Sequence, residues 1–205
     1  PVPRPYVVGG AIDDFQADPV RFHRRSGVKD PFLLYAGRLA ATKNVLELVN
    51  FFIKYKQSRP GPLKLVLMGK GPLRLPHHPD IVPIGFQSEK DKLDVYAAAM
   101  ALVQPSVMES FSIVIMESWL ARVPVLVHQS CDVTRSHVQR SNGGLYYVGY
   151  EEFAGAVDWF QAHPDARARM GALGREYVRR NYNREAVLAR FREALALWMD
   201  EDGLR

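Results

Sequence analysis

Short apolar runs alternate with segments of helical spacing along most of this chain. The runs lie at residues 32–36, 63–68, 81–84, 102–105, 124–128 and 145–148. Mostly apolar runs of this length are typical of strands that are covered on both faces. Strands separated by helices are joined by right-handed crossovers, which produce a parallel sheet. We therefore predict an α/β fold built on a mainly parallel, six-stranded sheet.

The segments between the runs predict helices, which lie at residues 44–58, 88–100, 111–121 and 134–139. Ser88 has the side chain and the position of an N-cap residue. From Glu151 onward the pattern is helical only, and it is broken at His163-Pro164 and at Asn181-Tyr182-Asn183. We interpret residues 1–30 as a loosely packed linker, residues 31–199 as one domain and residues 200–205 as a solvated acidic tail.

Composition narrows the class of protein but does not define its partner. The chain has 205 residues, a hydrophobic fraction of 47% and a charged fraction of 24%, as ordinary globular domains have. Its opening residues 1–5 do not resemble a secretory signal, and the single cysteine, Cys131, excludes an internal disulfide. We therefore expect a cytoplasmic protein. The formal charge of +5 suits a phosphate-bearing ligand, an anionic membrane surface, or no particular partner.

Glycines and basic residues follow the predicted strands at the edge where ligands of open parallel sheets bind. Gly37-Arg38 follows the first strand and Lys43 comes shortly after it. Gly69-Lys70-Gly71 follows the second strand and Gly85-Phe86 follows the third. The fourth strand is followed by a segment that contains Glu109 and leads directly into the next helix. We expect all of these residues to converge on one rim.

The helix predicted at residues 111–121 carries the most informative polar residues. Ser110-Phe111-Ser112 precedes Ile113 at its N-terminus, where free backbone N–H groups and the helix dipole favour an anion. Glu117 lies in an otherwise apolar helix, and a carboxylate there is costly unless hydrogen bonds satisfy it. The hydroxyls of a sugar are suitable donors. Glu109 could hold a second hydroxyl-bearing ring, although both glutamates could also be ordinary surface carboxylates.

Other polar motifs point away from metal and Walker-type sites. Gly69-Lys70-Gly71 lacks the Walker spacing, so it is either a phosphate contact or only a tight turn. His77-His78, between prolines, is interpreted as a loop pair rather than a metal site. The Asp200-Glu201-Asp202 triplet has the spacing of a metal-binding motif but lies in the predicted tail. We predict no metal and no cofactor.

These motifs, taken together, resemble those of the group 1 (family 4) glycosyltransferases. Glu109 and Glu117, with Phe111 and Ser112 between them, resemble the E-x7-E motif of that family. Further matches follow in the family's order, at Gly37-Arg38-Leu39 with Lys43-Asn44, residues 64–71, Gly85-Phe86, Tyr96, Pro124-Val125, Asn142-Gly143-Gly144-Leu145 and residues 170–182. The sequence departs from the family at residues 129–133, where a glycine-rich turn and a glutamate are usual. The resemblance covers roughly residues 31–196.

The resemblance implies a Rossmann-like three-layer sandwich that forms one half of the two-domain GT-B fold. It implies that Arg38 and Lys43 hold the diphosphate of a nucleotide sugar and that Glu109 contacts the transferred sugar, so these three would take part in catalysis. Glu117 would accept hydrogen bonds from the ribose. The other donor-binding residues implied are Gly37, Gly69, Gly85, Phe86, Ser110, Phe111, Ser112 and Ile113. Among them, backbone N–H groups near Phe111 to Ile113 would contact phosphate, and the backbone around Gly85-Phe86 would contact the base.

The resemblance also sets what the chain would do alone. It implies retaining transfer of a hexosyl group from a nucleoside-diphosphate sugar, with the acceptor bound mainly by an N-terminal domain that is absent here. We therefore expect the isolated chain to be inactive. We expect no nucleic-acid partner, and peripheral membrane association of the full-length protein at the inner face of the membrane stays open. Two alternatives are a non-hydrolysing nucleotide-sugar epimerase and a non-catalytic nucleotide-binding module.

Overall fold

A computed structural model describes Tyr6 and residues 8–201, with side chains as far as Met199. The strands are β1 (Phe32–Ala36), β2 (Lys64–Met68), β3 (Ile81–Gly85), β4 (Ala101–Gln104), β5 (Val125–His128) and β6 (Gly144–Tyr147). The helices are α1 (Pro19–Ser26), α2 (Val45–Ser58), α3 (Glu89–Ala98), α4 (Ile113–Leu120), α5 (Asp132–Ser141), α6 (Tyr150–Ala162), α7 (Pro164–Asn181) and α8 (Arg184–Glu201). A 3-10 turn at Ala41–Lys43 precedes α2.

The six strands form one sheet in the order β3-β2-β1-β4-β5-β6, and every neighbouring pair is parallel. The predicted α/β class and six-stranded sheet are confirmed, and each predicted strand agrees with the observed one to within a residue or two. Ser88 caps α3, and its hydroxyl accepts a hydrogen bond from the Asp91 N–H at 3.2 Å. The strand order reverses between β1 and β4, which is where ligands bind in folds of this topology.

Strand β1 separates the two hydrophobic cores. Phe32, Leu34 and Ala36 pack into the core on one side, together with residues of α1, α3, α4, α5 and α7. Leu33 and Tyr35 pack into the core on the other side, against α2 and α6. This alternation follows from the two-residue period of a strand. Because both faces are covered, the strand is apolar throughout, and the structure is a three-layer sandwich.

Part of the segment interpreted as a loosely packed linker is a packed helix. Helix α1 begins after the N-cap Asp18, has Pro19 at its first position and ends at Gly27, which adopts a left-handed conformation. Phe22 in this helix is fully buried in the core. Proline at a helix start and glycine just past its end are known boundary signals. This helix was not predicted because only one of its eight residues, Phe22, is buried, so the segment contains no apolar run.

The two ends of the chain carry predictions that cannot all be compared with the structure. Residues 1–5 lie outside the described residues. Helix α8 continues to Glu201, so the predicted tail begins within a helix, and Asp202 of the acidic triplet lies outside the described part.

Candidate functional site

A cavity of about 450 Å³ opens at the carboxyl ends of β1 and β2 and at the start of α4. It lies at the position where the strand order reverses. The residues that line it come from the turns after β1, β2 and β3 and from the facing sides of α3 and α4. They are Ala36, Gly37, Arg38, Met68, Gly69, Lys70, Phe86, Gln87, Lys92, Tyr96, Ile113, Val114 and Glu117.

We call this cavity the donor-side cavity, after the sugar donor that the sequence analysis predicts for it. One of its walls is formed by two glycine turns in direct contact. The Gly37 N–H donates to the Met68 carbonyl at 2.9 Å, and the Gly69 N–H donates to the Gly85 carbonyl at 2.9 Å. A Cβ atom on Gly69 would lie 1.9 Å from the Gly37 carbonyl oxygen, so only glycine fits there. Gly69 also has a φ of 145°, which favours glycine. This close approach brings Arg38 and Lys70 to the same wall.

Glu117 lies on α4 and reaches the opposite side of the cavity. Its carboxylate accepts hydrogen bonds from Lys92 Nζ at 2.7 Å and from the Tyr96 hydroxyl at 2.9 Å. Burial and the nearby Glu117 charge hold the pKa of Tyr96 well above its usual value, so Tyr96 stays a donor. Burial acts to lower the pKa of Lys92, but hydrogen bonds and attraction to Glu117 and Glu89 raise it overall. The predicted need of Glu117 for donors is thus met within the protein.

Glu109 lies beside a smaller cavity of about 90 Å³ that shares Gly37 and Ile113 with the larger one. Lys43 Nζ donates to its Oε1 atom at 2.8 Å, and Gln104 Nε2 lies 3.3 Å from the same atom. The Glu109 side chain is 10% exposed. Glu109 and Lys43 therefore form a largely buried ion pair next to the cavity rather than two separate charges.

One wall of the donor-side cavity carries a net positive charge, because two of the four basic side chains near the cavity are not paired with carboxylates in the part of the chain that the structure describes. Lys43 pairs with Glu109 and Lys92 pairs with Glu117, so their charges are locally balanced. Within Tyr6 and residues 8–199, the side chains of Arg38 and Lys70 have no carboxylate within ion-pair distance and are exposed to solvent. Two cations beside an open cavity can neutralise the charge of an anionic ligand.

The start of α4 adds backbone donors to this wall. Ser112 adopts a left-handed conformation, with a φ of 64°, and the Ile115 N–H bonds to its carbonyl oxygen. Ile113 and Val114 follow and line the cavity. The first N–H groups of a helix have no partner within it, and the helix dipole favours an anion there.

The side chains of two predicted donor-binding residues lie beside another cavity. Ser110 and Phe111 line a second cavity of about 520 Å³, which also contains His137 and Tyr182. The Phe111 ring packs edge-on against both of these rings. The turn at Ser112 separates Phe111 from α4, so the two sides of this turn face different cavities. The side chains of Ser110 and Phe111 therefore do not line the donor-side cavity.

The remaining predicted residues divide between the two neighbouring cavities. The larger one contains Gly37, Arg38, Gly69, Phe86, Ile113 and Glu117, while the smaller one contains Lys43, Glu109 and Ser112 as well as Gly37 and Ile113. Gly85 does not line either, but its carbonyl oxygen supports the Gly69 turn.

Sequence reasoning missed Lys92, Gln87 and Gln104, which line or support these cavities. The signal for Lys92 is its position one helical turn before Tyr96, which places both on one face of α3.

The described residues contain no group of three or more histidine, cysteine, aspartate or glutamate side chains arranged to hold a metal ion. His78 instead accepts a hydrogen bond from the Asp80 N–H in its loop. In the same part of the chain, no helix has the length and apolarity needed to cross a membrane.

Strand order, cavity position and the crossovers between parallel strands define a Rossmann-like domain. Among solved structures, the Anabaena protein Alr3699/HepE in complex with UDP superposes with a TM-score of 0.76 at 17% identity, over 87% of this chain and 52% of that one. WaaG, a glycosyltransferase involved in lipopolysaccharide biosynthesis, gives a TM-score of 0.70 at 15% identity, over 92% and 55%. The C-terminal domain of the group 1 protein LpcC from Francisella tularensis gives 0.66 at 15%, over 86% and 97%.

Sequence comparison assigns the family. The family described as "Glycosyl transferases group 1" matches residues 17–177. An uncharacterized glycosyltransferase of Methanocaldococcus jannaschii, MJ1607, is 31% identical over 119 residues, which is 53% of this chain and 30% of that relative. The chain therefore belongs to the group 1 glycosyltransferases, and its fold is one half of a GT-B arrangement. It spans about half the length of the first two solved structures.

Proposed function

We propose that this chain is the donor-binding domain of a retaining glycosyltransferase that transfers a hexosyl group from a nucleoside-diphosphate sugar. The observation that carries the proposal is the donor-side cavity, with Arg38, Lys70 and the start of α4 on one wall and Glu117 on the other. An anionic group and a polyhydroxylated group can therefore be bound by the same cavity. The structures of Alr3699/HepE with UDP and with UDP-glucose support this ligand class.

The diphosphate lies, in this proposal, between the glycine turns and the start of α4. The turns at Gly37 and Gly69 line the cavity, so phosphate oxygens can approach their backbone. Arg38 and Lys70 supply positive charge from the same wall, and the first N–H groups of α4 supply hydrogen bonds. Lys43, paired with Glu109, stands at the border with the smaller cavity. These donors stabilise the negative charge that develops on the leaving diphosphate, so no metal is required.

The two glutamates bind different rings. Glu117 faces the larger cavity, where its remaining acceptor sites are available for ribose hydroxyls. Glu109 borders the smaller cavity and, with Gln104 and Lys43, offers both acceptors and donors to the transferred sugar. Because the two cavities share Gly37 and Ile113, one nucleotide sugar can extend across both.

Transfer itself requires a second domain. The chain covers 97% of the LpcC C-terminal domain but only 52% of the Alr3699/HepE chain. The acceptor is then bound mainly by the other domain, and the reaction needs both substrates held between the two. We therefore expect this chain to bind the donor and to give no glycosyl transfer and at most trace donor hydrolysis. Retention of anomeric configuration rests on the family resemblance alone.

Isothermal titration calorimetry with UDP, GDP, ADP and their sugars tests donor binding. We expect one of these nucleotides to bind, and we expect its affinity to fall as salt rises, because exposed cations neutralise the phosphates. Failure of all three series to bind would refute the proposal. Product analysis of the full-length protein tests the reaction: a glycosylated acceptor supports it, whereas an epimerised sugar or an unchanged donor supports one of the alternatives.

A further inference from the structure

Lys92 stands between two carboxylates at the edge of the donor-side cavity. Its Nζ atom lies 2.7 Å from Glu117 Oε1 and 2.9 Å from Glu89 Oε1. Lys92 and Tyr96 are one helical turn apart on α3, so both reach the Glu117 carboxylate from the same face. The side chain of Lys92 is 24% exposed and lines the cavity itself.

The hydrogen-bonding capacity of this cluster is not exhausted. A carboxylate offers about four acceptor positions, and Glu117 uses two of them, one on each oxygen. An ammonium group offers three donors, and Lys92 directs two of them to Glu117 and Glu89. One N–H of Lys92 and the open positions of Glu117 are therefore available at the cavity wall. Together they form a donor next to acceptors, which matches a pair of adjacent hydroxyl groups.

We propose that Lys92 is a positioning and specificity residue for the ribose of the bound nucleotide. It fixes the Glu117 carboxylate so that this group accepts from the two ribose hydroxyls, and it donates its third N–H to a ribose oxygen. This inference rests on the proposed function, because it concerns the same cavity.

A second ion pair on α3 shows what a purely structural role looks like. Asp94 is fully buried and binds Arg21 and the Asp18 N–H, which fastens α1 to α3. Neither Asp94 nor Arg21 lines the donor-side cavity. The Lys92–Glu117 pair differs because both of its members line that cavity.

The decisive measurement compares ribonucleotides with dideoxyribonucleotides. The dissociation constants of UDP, GDP and ADP are measured for the wild-type chain, and the tightest binder is then compared with its 2′,3′-dideoxy form. Lys92→Met should lower the affinity for the ribonucleotide about tenfold, because charge-assisted hydrogen bonds are lost. It should change the affinity of the dideoxy form less than about twofold. Lys92→Arg, which keeps the charge, should recover most of the ribonucleotide affinity.

Lys90→Met is the matched control, since Lys90 is exposed on the same helix and does not line the cavity. It should leave both affinities unchanged. Equal losses for the ribo and dideoxy forms in Lys92→Met, or no loss for either, would overturn the role of Lys92 while leaving nucleotide binding intact. If Lys92→Met does not fold, Lys92→Gln, which also removes the charge, takes its place: a loss of affinity confined to the ribonucleotide supports the inference, and wild-type discrimination between the two forms overturns it. Failure of the wild-type chain to bind any of the three nucleotides refutes the proposed function and this inference with it.

Discussion

The two cavities on either side of the turn at Ser112 are similar in size but differ in how their polar groups are satisfied. In the donor-side cavity, Arg38 and Lys70 face open space beside two glycine turns. In the second cavity, Arg190 is bound by the carbonyl oxygens of Val8 and Asn181, and His137 lies 2.8 Å from the Tyr177 hydroxyl. The first keeps the charges of Arg38 and Lys70 available for a ligand, whereas in the second Arg190 and His137 connect parts of the chain. Cavity volume alone does not distinguish them.

The largest expected effect tests the glycine contact of the donor-side cavity. Gly69→Ala should lower the free energy of unfolding by more than about 3 kcal/mol, because its Cβ would collide with the Gly37 carbonyl oxygen. Gly10→Ala in the second region should cost less than about 1 kcal/mol, since its Cβ would meet only the Phe111 ring at 3.4 Å. Urea unfolding of both variants measures the difference, with Gly61→Ala, which has open space around it, as the control. Equal losses at Gly69 and Gly10 would contradict the comparison.

The second effect concerns pH and belongs to the second region. Burial, with a smaller contribution from Arg140, lowers the pKa of His137 to about 4 from its usual 6.5. The unfolded chain therefore binds a proton first as the pH falls, and stability is lost between pH 6.5 and about 4. The stability difference between wild type and His137→Gln should shrink by about 2 kcal/mol from pH 6.5 to 4.5.

Denaturant unfolding at several pH values measures this difference. His77→Gln is the control, because it replaces a histidine that is exposed in a loop. If wild type and His137→Gln lose stability in parallel, the buried histidine is not the cause of the pH dependence.

The third effect separates the cations of the two cavities. Arg38→Gln should weaken nucleoside diphosphate binding about tenfold and leave the free nucleoside unaffected, because the guanidinium contacts phosphate in the proposed complex. Arg140→Gln, in the second cavity, should change neither affinity. Calorimetry with both ligands provides the test. A loss at Arg140 as large as that at Arg38 would mean that the second cavity also binds the nucleotide.

The smallest effect concerns Phe111, which lies between Glu109 and Glu117 in the sequence but packs away from the donor-side cavity. Phe111→Leu should lower stability by about 1 kcal/mol, because edge-on contacts with His137 and Tyr182 are lost. The affinity for a nucleoside diphosphate should stay within twofold of wild type, or about 0.4 kcal/mol. Thermal unfolding and calorimetry on the same sample measure both. A marked loss of affinity without loss of stability would place Phe111 at the ligand after all.

The sheet and most of the residues at its ligand-binding edge could be predicted from the amino-acid sequence. Apolar runs such as residues 32–36 predict buried strands because both faces of a parallel sheet are covered. Glycines and cations at strand ends identify the rim, since parallel strands end at one edge. The sequence also identified Arg38, Lys43, Glu109 and Glu117 as candidates, and their roles stay predictions. Helix α1 was not predicted, because Phe22 is its only residue in the core and the segment therefore contains no apolar run.

Which of the candidate side chains lie next to each other could be seen only in the tertiary structure. Lys43 forms an ion pair with Glu109, and Lys92 forms one with Glu117. The partners are far apart in the sequence, so sequence spacing could not predict either pair. The direction of Phe111 depends on the left-handed backbone at Ser112 and on aromatic partners contributed by α5 and the end of α7. Local sequence sets which elements form, because periodicity and capping act over a few residues. Pairing of charges and the facing of side chains depend on how those elements pack, and that is a property of the whole fold.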